Sequence, residues 1–79
     1  MKKCVEYSNN FGKIEMKLKN YLDSHEITRN SLSVATGIRY DVIDRYYKGA
    51  VTRVDLETLA KICYALECEL SDIINYKIS

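Results

Sequence analysis

Nothing in this chain interrupts a helix except three glycines. Proline is absent from its 79 residues, and glycine occurs only at positions 12, 37 and 49. So little punctuation points to helices joined by short turns. Gly37 follows Ser31-Leu32-Ser33-Val34-Ala35-Thr36, and Gly49 follows Tyr46-Tyr47-Lys48. A glycine directly after a short helix fits the left-handed conformation of a helix end. The spacing therefore predicts a helix over about 28–36, capped by Thr28, and another over about 40–48, where Lys48 faces the negative end of its own dipole.

The remaining helices are read from apolar spacing. Ile14, Leu18, Tyr21 and Leu22 fall at i, i+4, i+7 and i+8, which predicts a helix over about 13–24. Asp55 is positioned to cap a helix whose stripe is Leu56, Leu59, Ile62, Cys63 and Leu66. Ser71 is expected to cap a short fifth helix with Leu70, Ile73 and Ile74 facing inward. No strand pattern is read between 13 and 76. Residues 1–12 read as an arm in which Val5 and Tyr7 alternate with polar residues, as a short extended segment would. The division is thus an arm over 1–12, one domain over 13–76 and a tail over 77–79. Leu32, Ile38, Ile43, Leu56, Leu59, Ile62 and Leu66 are the expected core. Tyr46 joins them with its hydroxyl at the rim, and Cys63 serves as a small apolar residue.

Composition excludes several classes. The longest apolar stretch, Ile62-Cys63-Tyr64-Ala65-Leu66, has five residues, whereas a membrane span needs about 20. Lys2 and Lys3 are not followed by the apolar run of a secretory signal, so the expected compartment is the cytoplasm. Cys4, Cys63 and Cys68 are odd in number and show no CxxC spacing, and His25 is the lone histidine, so neither a metal site nor a disulfide framework is signalled. His25 reads as a solvated residue in the turn after the first helix. One histidine and no glycine-rich phosphate loop leave no nucleophile–base pair, so the chain does not read as an enzyme. No cofactor and no small-molecule ligand are signalled.

Charge is distributed unevenly. The net charge is +1, yet residues 29–53 set Arg29, Arg39, Arg45, Lys48 and Arg53 against only Asp41 and Asp44, and the residues after them are acidic. A basic centre suits a polyanion.

The most informative stretch is Thr28 to Gly49. Two short helices joined through Gly37-Ile38 cannot lie antiparallel, and such a turn sets them at a steep angle, a helix-turn-helix. From Thr28-Arg29-Asn30-Ser31-Leu32-Ser33-Val34-Ala35-Thr36-Gly37-Ile38 through Ile43 to Gly49, and on through Leu56-x-x-Leu59-x-x-Ile62-x-x-Ala65-Leu66 and Leu70-x-Asp72-Ile73, the sequence resembles the phage-repressor and Cro type of helix-turn-helix domain, also called the xenobiotic-response-element type. The resemblance covers about residues 13–76. It implies an all-α, compact five-helix fold like that of the lambda repressor. It also implies that the second helix of the pair enters the DNA major groove while the first crosses the backbone.

Carried over by position, Arg39, Tyr40, Asp41, Asp44 and Arg45 are the candidates for base contact. Arginine suits the O6/N7 edge of guanine, and aspartate accepts from the cytosine amino group. Thr28, Arg29, Tyr47, Lys48, Thr52 and Arg53 are the candidates for phosphate contact. Arg39 stands where the family usually has a capping Ser or Thr.

Two functional classes follow. One is a transcriptional regulator that binds double-stranded DNA as a homodimer, on half-sites about 34 Å apart. Its dimer contacts would come from the tail, Ile73 to Ser79, or from the arm with Val5, Tyr7 and Phe11. The other is a protein-interaction or antitoxin-like module on the same fold. Asp41 and Asp44 on the presumed DNA face favour it, as do seven tyrosines.

Overall fold

The computed structural model describes residues 4–6 and 11–78. The elements in order are β1 (Lys13–Met16), α1 (Leu18–Ser24), α2 (Arg29–Thr36), α3 (Tyr40–Lys48), α4 (Leu56–Leu66), a 3-10 turn (Leu70–Asp72) and β2 (Ile74–Lys77). Within residues 11–78 there are four α-helices and one two-stranded antiparallel sheet. Among the described residues no helix is long and apolar enough to cross a membrane. Tyr7 and the Ser8-Asn9-Asn10 part of the arm lie outside the described residues.

The capping chemistry sets the helix limits. Thr28 accepts the Ser31 N–H on its hydroxyl at 3.0 Å and opens α2. Asp55 accepts the Thr58 N–H at 3.0 Å and opens α4. Each satisfies one of the donors a helix start leaves unpaired. Gly37 and Gly49 close α2 and α3 in the left-handed region, at φ 73 and 72. Arg39 precedes α3 with no side-chain cap, and Asp41 and Lys48 suit the two ends of its dipole.

Two expectations need correction. The first helix begins at Leu18, not near 13, and the predicted fifth helix is only a 3-10 turn followed by a strand. Lys13-Ile14-Glu15-Met16 and Ile74-Asn75-Tyr76-Lys77 both alternate polar and apolar residues, and they pair with Ile14 opposite Tyr76 and Met16 opposite Ile74. Period-2 alternation over four residues is compatible with a strand, but only the partner strand, far along the sequence, decides it. The Lys17 N–H then donates to the Ile73 carbonyl at 2.7 Å, where the chain leaves the sheet for α1. The 3-10 turn is capped by Glu69 rather than Ser71. The Glu69 N–H donates to the Asp72 carboxylate at 3.0 Å.

The buried core is Leu18 and Leu22 from α1, Leu32 from α2, Ile43 and Tyr46 from α3, Leu59 and Ile62 from α4, and Ile73. Ile38, Cys63 and Leu66 pack against it. Tyr46 is buried and its hydroxyl accepts the Asp55 N–H at 3.3 Å, which ties α3 to the start of α4. Leu56 and Leu70, expected inside, are exposed, as is Ile14. Leu56 sits in the first turn of α4, at about 100° per residue roughly 60° round the helix from Leu59 and 120° from Ile62, at the margin of the apolar stripe.

Gly12 enters the sheet at φ 85, and a Cβ there would lie 2.6 Å from the Lys77 carbonyl oxygen. Around Gly37 a Cβ would meet nothing within 4 Å. Gly37→Ala therefore carries only the left-handed backbone cost, about 1–2 kcal/mol. Gly12→Ala adds displacement of the Lys77 backbone and should destabilise more. Urea unfolding of the two variants measures this, and an equal loss at both positions would refute the close packing of Gly12 on β2.

Candidate nucleic-acid interface

The α2–α3 pair is fixed by short hydrogen bonds around its turn. Ser33 Oγ donates to the Ile38 carbonyl at 2.5 Å. Thr36 Oγ1 donates to the Leu32 carbonyl at 2.8 Å and accepts the Ile38 N–H at 3.2 Å. Polar side chains here satisfy backbone groups that the break between two helices would leave unpaired.

A second set of contacts links the helices at their outer ends. Arg29, the first residue of α2, reaches Asp44 on α3 with Nη1 to Oδ1 at 2.5 Å. Lys48, one turn further along α3, places Nζ 3.0 Å from the other carboxylate oxygen. The Arg29 guanidinium also lies over the Tyr47 ring, 4.5 Å from its centre, and 6.0 Å from that of Tyr40. The Tyr47 hydroxyl donates to Asp23 of α1 at 2.8 Å, and Lys19 pairs with Asp23 at 3.0 Å. Three helices are thus joined through one alternating series of charges and rings. Lys48, with Arg29, holds the Asp44 carboxyl below the usual carboxylate range against the opposing effect of desolvation. Lys19 and the Tyr47 hydroxyl do the same for Asp23.

The candidate residues therefore divide. Tyr40, Asp41, Asp44, Arg45 and Lys48 lie on one arc of α3, about 140° wide at 3.6 residues per turn, opposite the buried Ile43 and Tyr46. Arg39 stands at its start. Arg29, Tyr40, Asp44, Tyr47 and Lys48 meet in the cluster just described. Arg39 pairs with Asp41 at 3.3 Å, both well exposed, so that pair is weak. Arg45 and Arg53 are exposed and have no partner among the described residues. Thr52 and Arg53 project from the loop between α3 and α4. Thr28 is engaged as the α2 cap.

Asp44 thus serves a different purpose from the one its position in the sequence suggests. Its charge is spent inside the domain, and the surface of α3 is less acidic than its residues imply. Lys19 and Asp23 were not among the candidates. Their i,i+4 spacing is visible in the sequence, but their link to Tyr47 exists only in the packed fold. His25, as expected, is exposed at the end of α1, where its ring stacks on Tyr21 with centres 4.1 Å apart.

The comparisons with known proteins agree with the helix-turn-helix fold. A family model described as the Cro/C1-type HTH DNA-binding domain matches residues 17–78. A crystal structure of a Bacteroides fragilis protein described as DNA-binding superposes with a TM-score of 0.69 at 21% identity, covering 80% of this chain and 100% of that one. The crystal structure of the transcriptional regulator VanUg superposes with a TM-score of 0.68 at 25% identity, covering 95% of this chain and 100% of that one. No curated protein matches the sequence.

The clamp has a pH signature. A carboxyl whose folded value is depressed contributes stability that is present above its unfolded value, near 3.9, and is lost as pH falls through the folded value. Wild type should therefore lose more stability between pH 7 and pH 3 than Asp44→Asn does. Urea midpoints at the two pH values provide the test. The same loss in both proteins would mean that Asp44 is not held by Lys48 and Arg29 in solution.

Proposed function

The chain belongs to the Cro/C1-type HTH DNA-binding domain family, and from that premise we propose that it is a transcriptional regulator that reads double-stranded DNA as a homodimer, with α3 in the major groove. The observation that carries this reading is the state of the two acids on α3. Asp44 is paired with Arg29 and Lys48, and Asp41 with Arg39. Arg45 is left exposed and unpaired among the described residues, where a base-reading arginine is needed.

In this reading Arg45 contacts guanine, and Arg39, Tyr40 and Asp41 face neighbouring base edges. Asp44 acts from behind them by fixing Arg29. Arg29, Lys48 and Arg53, with the Thr52 hydroxyl, meet the sugar–phosphate backbone on either side, and the hydroxyls of Thr28 and Tyr47 join them by exchanging their bonds to Ser31 and Asp23 for phosphate oxygens. A positive charge at the first residue of α2 suits a helix that crosses the backbone. So few cations bind weakly in one copy. Two copies on half-sites about 34 Å apart double the phosphate contacts and supply the affinity. The likeness to VanUg, a transcriptional regulator, supports the regulatory role. The alternative, a protein-interaction module, drew its charge argument from Asp41 and Asp44, and the pairing of Asp44 weakens that argument.

A salt titration by fluorescence anisotropy on a pool of random duplexes tests the reading. Three cations in one copy predict log affinity falling with log salt at a slope of about −3, and two copies bound together predict about −5. Absence of binding by the folded protein at low salt would overturn it. On a duplex selected from that pool, Arg45→Ala should cost about 1–3 kcal/mol and relax preference at one base pair. Arg53→Ala should weaken selected and random duplexes alike. Equal losses from Arg45→Ala on both duplexes would assign Arg45 to phosphate.

A further inference from the structure

Helix α4 ends differently from its neighbours. Gly37 and Gly49 close α2 and α3 in the left-handed region, but the residue that closes α4 there is Glu67, at φ 51. A residue with a side chain is strained in that region, so the turn is held by what flanks it. Two backbone bonds do this. The Glu67 N–H donates to the Tyr64 carbonyl at 3.2 Å, and the Cys68 N–H donates to the Cys63 carbonyl at 3.1 Å. Together they form the Schellman closure of a helix end, in which the residues joined by the wider of the two bonds also bring their side chains together. Here both of those residues are cysteines. Their backbone bond keeps the two Cα atoms no more than about 7 Å apart, and a disulfide spans about 4.4–6.8 Å. Both thiols are free, half-buried and packed against the same core. Cys63 also borders a shallow cleft of about 220 Å³, with Leu56, Ala60 and Leu70, through which a small molecule can reach it.

We propose that Cys63 and Cys68 form a reversible disulfide that latches the end of α4, made by exchange with a small disulfide such as oxidised glutathione. The Cys63 thiolate attacks one sulfur of the oxidant, and one glutathione thiolate leaves. The Cys68 thiolate then attacks the Cys63 sulfur of the mixed disulfide, and the second glutathione thiolate leaves. Two protein thiols are oxidised to one disulfide, the oxidant is reduced to two thiols, and the two protons given up by the cysteines end on them. The order follows from the surroundings. Burial first, and then the neighbouring Cys63, push the Cys68 thiol up to about 11. Little of it is thiolate at neutral pH, so Cys63, beside the cleft, attacks first. Cys68 then reacts with a sulfur already next to it, and proximity offsets its small thiolate fraction. The latch fastens a junction of the fold. Leu66, inside the closed loop, accepts the Tyr21 hydroxyl of α1 on its carbonyl at 3.4 Å. The chain leaving Cys68 runs through the 3-10 turn into β2. None of the residues assigned to DNA takes part, so the latch stands apart from the DNA reading.

Mass spectrometry of the full chain, equilibrated with mixtures of oxidised and reduced glutathione and quenched in acid, tests the proposal. Cys4 is exposed, so the chain carries Cys4→Ser to prevent coupling between copies. The expected product is a monomer that has lost two hydrogens, holds no glutathione and regains both thiols with dithiothreitol. Its urea midpoint should lie above that of the reduced protein, because the bond closes a loop in the unfolded chain. Adding Cys68→Ser should stop the reaction at the mixed disulfide on Cys63. Adding Cys63→Ser instead should leave a Cys68 that reacts at least about tenfold more slowly than Cys63 does in the Cys68→Ser protein. Circular dichroism checks that these variants fold. Should either fail to fold, peptide mapping of the oxidised Cys4→Ser protein still locates the bond. Glutathione that accumulates on Cys63 while Cys68 stays free overturns the proposal. So does a disulfide that forms only in urea concentrations that unfold the chain, or a urea midpoint that falls on oxidation.

Discussion

The contact on which the interface depends is the one between Arg29 and Asp44. It joins the first residue of α2 to the middle of α3, at the far side from the turn that Ser33 and Thr36 hold closed. A short two-helix unit pinned at one end only would rock about its turn. Pinned at both, it presents α3 at a fixed angle, which a reading helix requires because base contacts tolerate little misplacement. The same contact removes a negative charge from the surface meant to approach phosphate. Lys48 completes it and remains exposed enough to face solvent on its other side. Tyr47 extends it to α1 by sitting against Arg29 and donating to Asp23.

Helix limits were legible in the sequence wherever a single side chain or glycine decides them. Thr28, Gly37, Gly49 and Asp55 each act within three residues of themselves, so one local stretch contains both cause and effect. The sheet was not legible for the opposite reason. Residues 13–16 fit a helical stripe through Ile14 as well as they fit a strand, and only pairing with residues 74–77 separates the two. The fifth helix failed similarly. Leu70, Ile73 and Ile74 suggest a helical face, but only Ile73 is buried, and the chain turns into β2 before a second helical turn forms.

The candidate site was legible as a set of positions but not as a set of partners. The helix-turn-helix spacing located Arg29, Tyr40, Asp44, Arg45 and Lys48 on the correct elements. It could not say that Arg29 and Asp44, fifteen residues apart, neutralise each other. Charges read along a sequence add as if each faced solvent alone. In the fold they cancel in pairs, and what meets a ligand is the remainder. Here the remainder is Arg45 and Arg53, together with the cationic ends of Arg29 and Lys48 that their shared acid leaves open.

That remainder also explains how a chain with a net charge of only +1 suits a polyanion. Strong uniform basicity would bind any duplex and slow the search for one site. On the proposed reading, a face whose Asp44 is tied down while one arginine stands free has little affinity to offer a random sequence, and gains most where a guanine lies under that arginine. On the proposed reading such a reader works as two copies, because one weak and selective copy adds too little.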